Sequence, residues 1–167
     1  LSAFSAVGQI GLRGLNPIEK QKLQLPELPA SQSRVTLLRS SENVDYTQGV
    51  FILNEDWFGH NNSTINFMTS SGDFAYRIFQ TANPGKELGC TSQFGTIFGD
   101  NMFITSKQPK DGGASIEGGR LNVVDAKTMK VKAQFTDIGG GDGRAFLGVN
   151  DSVGYIGASN GIFLFDM

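Results

Sequence analysis

A chain of 167 residues and 18.0 kDa suits one ordinary domain, able to bury roughly 70% of its unfolded surface. A net charge of −2 and a pI near 5.3 give no basic face for nucleic acid or anionic lipid, and one Cys with one His excludes an internal disulfide and a metal site made from those two residues alone. With 22 Gly and 13 Phe against 18% charged residues, the composition points away from a helical bundle and toward many short strands.

Residues 1–45 stand apart. A weakly apolar opening is followed by IEKQKLQLPELPASQS, a polar stretch broken by Pro26 and Pro29. An extended leader or linker is expected there, with a short strand at Arg34–Arg39 and an amphipathic helix over Pro17–Leu25 as the competing reading. The chain starts at Leu1 rather than Met, so a processed or incomplete product is expected, and the lack of a visible signal peptide or lipid anchor carries no weight. No apolar run approaches the roughly 20 residues of a membrane span.

From Val50 onward the chain repeats itself. Phe51-Ile52-Leu53-Asn54, Phe103-Ile104-Thr105-Ser106 and Tyr155-Ile156-Gly157-Ala158 each read aromatic, Ile and two smaller residues, at a constant interval of 52 (103 − 51 and 155 − 103). A second strand follows each: 64–67, 121–125 and 162–166. Polar turns at Ser70–Asp73 and Ala126–Lys130 then lead to third strands at Phe74–Phe79 and Val131–Phe135. A further strand precedes the second and third units, at Gly95–Phe98 and Arg144–Leu147, joined to them by turns at Gly99–Asn101 and Asn150–Ser152. Four antiparallel strands recurring near 50 residues is the pattern of a β-propeller blade; a β-sandwich with strands in step is the alternative. The expected fold is therefore all-β, a β-propeller fragment of about two to three four-stranded blades, near 46–80, 89–138 and an incomplete 144–167. Because propellers close with roughly 4 to 8 blades and open edges are a liability, membership in a longer chain or pairing with a complementary fragment is expected.

In such blades the turns after strands one and three share one end, and those after two and four share the other. The first end carries only hairpin-length turns. The second carries Glu55–Ser63, Gln80–Cys90, Lys107–Gly118 and Ile138–Gly143, and long loops on a rigid scaffold concentrate recognition residues. Asn54, Glu55, Asp56, Trp57, Phe58, His60 and Asn61 combine flat aromatic area with orienting polar groups, as a sugar ring, a corrin or a peptide backbone would require. Structural roles for Trp57 between blades and His60 at a turn compete with that reading. Lys107, Lys110 and Asp111 bring charge to the same end, and Arg144 is placed to line the central channel.

Other chemistries are poorly specified. Metal binding by His60 with Glu55 and Asp56 has no supporting spacing, and adjacent carboxylates in extended chain point apart, against acid/base work. The Gly-rich run Asp137–Arg144 lacks the acids of an EF-hand and the Lys of a P-loop, so its glycines are expected to serve a turn with positive φ. Asn61-Asn62-Ser63 and Asn62-Ser63-Thr64 are sequons of no expected consequence. Cys90 is expected to be a small buried residue and not a nucleophile.

GVFILNEDWFGHNNSTINF, ANPGKELGCTSQFGTIFGD, GGRLNVVDAKTMKVKAQF and GYIGASNGIFLFD together resemble the YncE-like propellers of Bacteroidetes surface lipoproteins, a family largely of unknown function. VVDAKTMKV is shared with quinoprotein-dehydrogenase-like repeats; the NED-aromatic-aromatic-Gly opening with ANPGKELG is more specific. The resemblance spans about residues 45–167. It implies a seven-bladed, lipid-anchored protein on the outer cell surface beside TonB-dependent importers, and a relative of this kind captures cobalamin. The expectation is a non-enzymatic, cofactor-free protein capturing a nutrient (cobalamin-like cofactor, glycan or peptide) on its loop-rich face. A scaffold docking to an outer-membrane importer is the alternative, and a quinoprotein-like enzyme a third.

Overall fold

Alternation of apolar and polar residues, punctuated by Gly and Asp turns, produces ten strands in the computed structural model, which describes residues 44–56 and 59–167. The strand expected at 34–39 and the helix weighed at 17–25 lie outside the described residues. The first sheet consists of β1 (Gly49–Asn54), β2 (Thr64–Thr69) and the short β3 (Phe74–Ala75). The second is the four-stranded meander β4 (Cys90–Phe98), β5 (Asn101–Gln108), β6 (Leu121–Asp125) and β7 (Val131–Phe135). The third holds β8 (Gly143–Asn150), β9 (Val153–Ala158) and β10 (Gly161–Asp166). All pairings are antiparallel between chain neighbours. The described residues thus form an all-β propeller fragment.

The repeat seen in the sequence is structural. Phe51, Phe103 and Tyr155 are each the third residue of β1, β5 and β9, and their cross-strand partners are Phe67, Val123 and Leu164. On β5 the alternation of side chains serves two interfaces. Met102 and Ile104 join Ile65, Phe67 and Val124 in a core shared with the first sheet, with Phe51 packed against it. Phe103 points the other way, into a core with Val123 of its own sheet and Phe146 and Ile156 of the next. Its ring stacks on Phe146 at 3.8 Å between centroids, and Phe165 meets both rings edge-on at 6.1 and 5.7 Å. The equivalent face of the third sheet carries Leu147, Tyr155 and Leu164 exposed in one cross-strand row.

One expected element differs. The third strand of the first sheet was expected over Phe74–Phe79, but pairing stops at Ala75 and Ile78–Ala82 forms a single helical turn, α1. The break falls at Arg77, whose backbone is left-handed (φ 50°, ψ 44°). Its N–H donates to Asn66 Oδ1 at 2.9 Å, which turns the chain off the sheet. Ile78 and Phe79 then enter the core between the first two sheets. Asn83 fixes the end of α1: its amide donates to Phe79 O and Met129 O, each at 2.8 Å, and accepts from Val131 N–H at 2.9 Å.

Candidate functional site

The ends of β1 and β5 and the start of β4 lie together, because Asn54 pairs with Thr64, Cys90 with Gln108, and the Ser63 N–H donates to Gly89 O at 2.9 Å between the two sheets. The connections leaving that end are 55–63, 76–89, 109–120 and 136–142, whereas the opposite end has the tight turns Gly99-Asp100 and Asp151-Ser152. The asymmetry expected from the repeat is therefore present across the first two sheets. It fades at the third, where β9 and β10 are joined by Ser159-Asn160 alone.

Two buried polar residues fasten the long loops to each other. Asn62 accepts the Asp111 N–H through Oδ1 at 2.8 Å and donates through Nδ2 to Ile116 O at 2.8 Å. Asp111 answers from the other loop: Oδ2 accepts the Gly59 N–H at 2.6 Å and Oδ1 accepts the Gly113 N–H at 2.8 Å. The Cys90 thiol donates to Asp111 Oδ2 at 3.4 Å. Asp111, one of the expected binding residues, is 1% exposed and closes the loop base. The Gly113 N–H holds its carboxyl below the ordinary range; burial opposes this, and the Gly59 N–H, the Cys90 thiol and the nearby His60 assist. Burial pushes the Cys90 thiol up, in keeping with the expected inert, buried cysteine. Contact between the loops is so close at Gly113 that an added Cβ would lie 2.8 Å from the His60 backbone.

The other residues singled out in the sequence are held in different ways. Asn54 Nδ2 donates to Thr64 Oγ1 at 3.2 Å, and Thr64 Oγ1 donates to Asp56 Oδ2 at 3.1 Å, so these side chains brace the root of the loop. Glu55 takes a hydrogen bond from Gln93 Nε2. His60, Asn61 and Lys110 are exposed, and Lys107 is half-buried. Arg144, exposed at the start of β8, pairs with Asp142 at 3.2 Å. Trp57 and Phe58 lie outside the described residues. In the Gly-rich run, Gly139 and Gly140 take positive φ of 72° and 76°, and Asp137 Oδ1 accepts the Gly140 N–H at 2.8 Å, as a turn requires. Asn62, the second sequon asparagine, is buried with both ends of its amide engaged.

Between these loops lies a cleft of about 170 Å³. Asn61 and Ser115 reach it from two loops, and Arg77 and Glu87 from the connection that carries α1. Arg77 Nη2 is 3.3 Å from Glu87 Oε1, and Gln80 Nε2 donates to Glu87 Oε2 at 2.7 Å. Of these, only Asn61 was singled out in the sequence. Arg77 and Glu87 are separated by a helical turn that strand periodicity misreads, and Ser115 sits in a run without period. A wider hollow of about 320 Å³ at the short-turn end is lined by Asp100, Asn101 and Lys132. There Lys132 is already tied to Asn101 at 2.6 Å and Asp125 at 3.5 Å, and Asp100 to Lys127 at 3.4 Å.

The chain belongs to a family defined only as a domain of unknown function (DUF5074), whose model matches residues 48–167. That span holds every described strand and all three loops of the site. A comparison with curated proteins gave no match.

Proposed function

We propose that this chain is a non-enzymatic ligand-capture module of the YncE-like, Bacteroidetes surface-lipoprotein kind, taking a nutrient on its loop-rich end and passing it to an outer-membrane importer. Glycan, peptide and cobalamin-like cofactor are the ligand classes in view. The observation that carries this reading is the mutual fastening of the long loops by Asn62 and Asp111 around an open polar cleft, on a scaffold whose other end has only tight turns. Prefastened loops lower the ordering that binding would otherwise require. Trp57 stands two residues before Gly59, which Asp111 holds, and a Trp side chain offers flat aromatic area to a ligand.

Calorimetry with neutral oligosaccharides, short peptides and cyanocobalamin tests it, with Trp57→Ala as the comparison. Saturable heat with one class, reduced by the substitution, is expected. No heat with any class, together with retention of an importer from native outer membranes without added ligand, would replace capture by a scaffolding role.

A further inference from the structure

The cleft between the loops has a chemistry that selects among those ligands. Its charges balance: the Arg77 guanidinium is countered by the Glu87 carboxylate 3.3 Å away. A free anion entering beside Arg77 would also face Glu87. The set is rich in both donors and acceptors, since Arg77 only donates, Glu87 only accepts, and Asn61 and Ser115 do both. A neutral polyol, whose every hydroxyl gives one hydrogen bond and receives others, matches that alternation better than a carboxylate or an ammonium group. Size points the same way. Pockets for drug-sized ligands run to about 300–1,000 Å³, and a cleft of about 170 Å³ is on the scale of one sugar ring.

Arg77 is also held for this position at a price in backbone freedom. A non-Gly residue at φ 50° is uncommon, and such conformations cluster at sites of function. Here the turn carries Arg77 off the edge of β3, and Asn66 locks its N–H. The ion pair it forms is largely exposed on the Arg side, 55% against 20% for Glu87, and pairs of that kind contribute little to folding.

We infer that the cleft formed by Asn61, Arg77, Glu87 and Ser115 is a subsite for a single neutral sugar residue, the monosaccharide unit that a captured glycan would present. This rests on the capture reading and narrows it. Saturation-transfer NMR on the full chain provides the test, with neutral mono- and disaccharides, glucuronate, glutamate and cyanocobalamin as probes. Two variants accompany it: Ser115→Trp to fill the cleft, at an exposed position, and Arg77→Gln to remove the charge, both checked for unchanged circular dichroism and thermal midpoint.

Neutral sugars are expected to bind, to be lost in Ser115→Trp, and to weaken about tenfold or more in Arg77→Gln, the effect of losing one hydrogen bond from a charged donor. Should Arg77→Gln fail to fold, Glu87→Gln gives the same reading from the acceptor side. Binding of glucuronate or glutamate in preference to neutral sugars would overturn the subsite, as would sugar binding untouched by Ser115→Trp. Cyanocobalamin binding alone would overturn it while leaving capture intact. No binding by any probe would overturn the subsite, and capture would then stand or fall with the peptide calorimetry.

Discussion

At Asp111 a single carboxylate holds two loops, and its ionisation should therefore be visible in the loops. Its folded pKa is lowered by the Gly113 N–H, against the opposing effect of burial and with help from Gly59. The stabilisation is then fully present above the ordinary carboxylate value of about 3.9 and is lost as pH falls through the lower folded value. The only Trp in the chain, Trp57, stands two residues before Gly59 and reports on that loop. Its emission is expected to stay constant from neutral pH down to the ordinary carboxylate range and to shift below it. In Asp111→Asn, which cannot carry the charge, the acid-dependent shift should vanish. An emission change centred near neutral pH would assign control of the loop to another group.

The strands were legible in the sequence because their signal is local: period two, a turn, period two again. The constant interval of 52 then placed Phe51, Phe103 and Tyr155 at matching points before any pairing was known. α1 was not legible, since its five residues are too few for a helical period and Ile78 and Phe79 continue the apolar alternation of a strand. The fastening of the loops was hidden for a different reason. Asn62 and Asp111 are 49 residues apart in segments without periodicity, and nothing in either segment announces the other. Lys107, Lys110 and Asp111 read in the sequence as charge brought to the loop-rich end, while the structure buries Asp111 at the loop base. Asn62→Ala leaves the Asp111 N–H and Ile116 O without their partners, at a cost of about 1–3 kcal/mol. Denaturant unfolding should show that loss with β-sheet circular dichroism unchanged before the transition. A neutral Asn62→Ala would mean that water serves both groups equally well.

The three described sheets repeat one packing step, and the same position of the repeat is sheathed in one sheet and bare in another. Phe103 is 1% exposed between the second and third sheets, while Tyr155, its counterpart, is 42% exposed on the third. Phe103→Ala should therefore destabilise by about 3–5 kcal/mol, as expected for removing a buried aromatic ring. Tyr155→Ala should fall within about 0.5 kcal/mol, the range of surface changes. Comparable losses at both positions would deny that the sheets stack as successive turns of one arrangement. Stacking of this kind sets the long loops of neighbouring sheets side by side, and the proposed binding role rests on that adjacency. The decisive measurement is a backbone amide shift map of the full chain, titrated with a neutral disaccharide. Shifts gathered at Asn61, Arg77, Gly113 and Ser115, with Gly99, Asp100 and Ser152 at the far end unmoved, are the expected result. Saturable shifts confined to that far end, or none at any concentration of sugar, would contradict it.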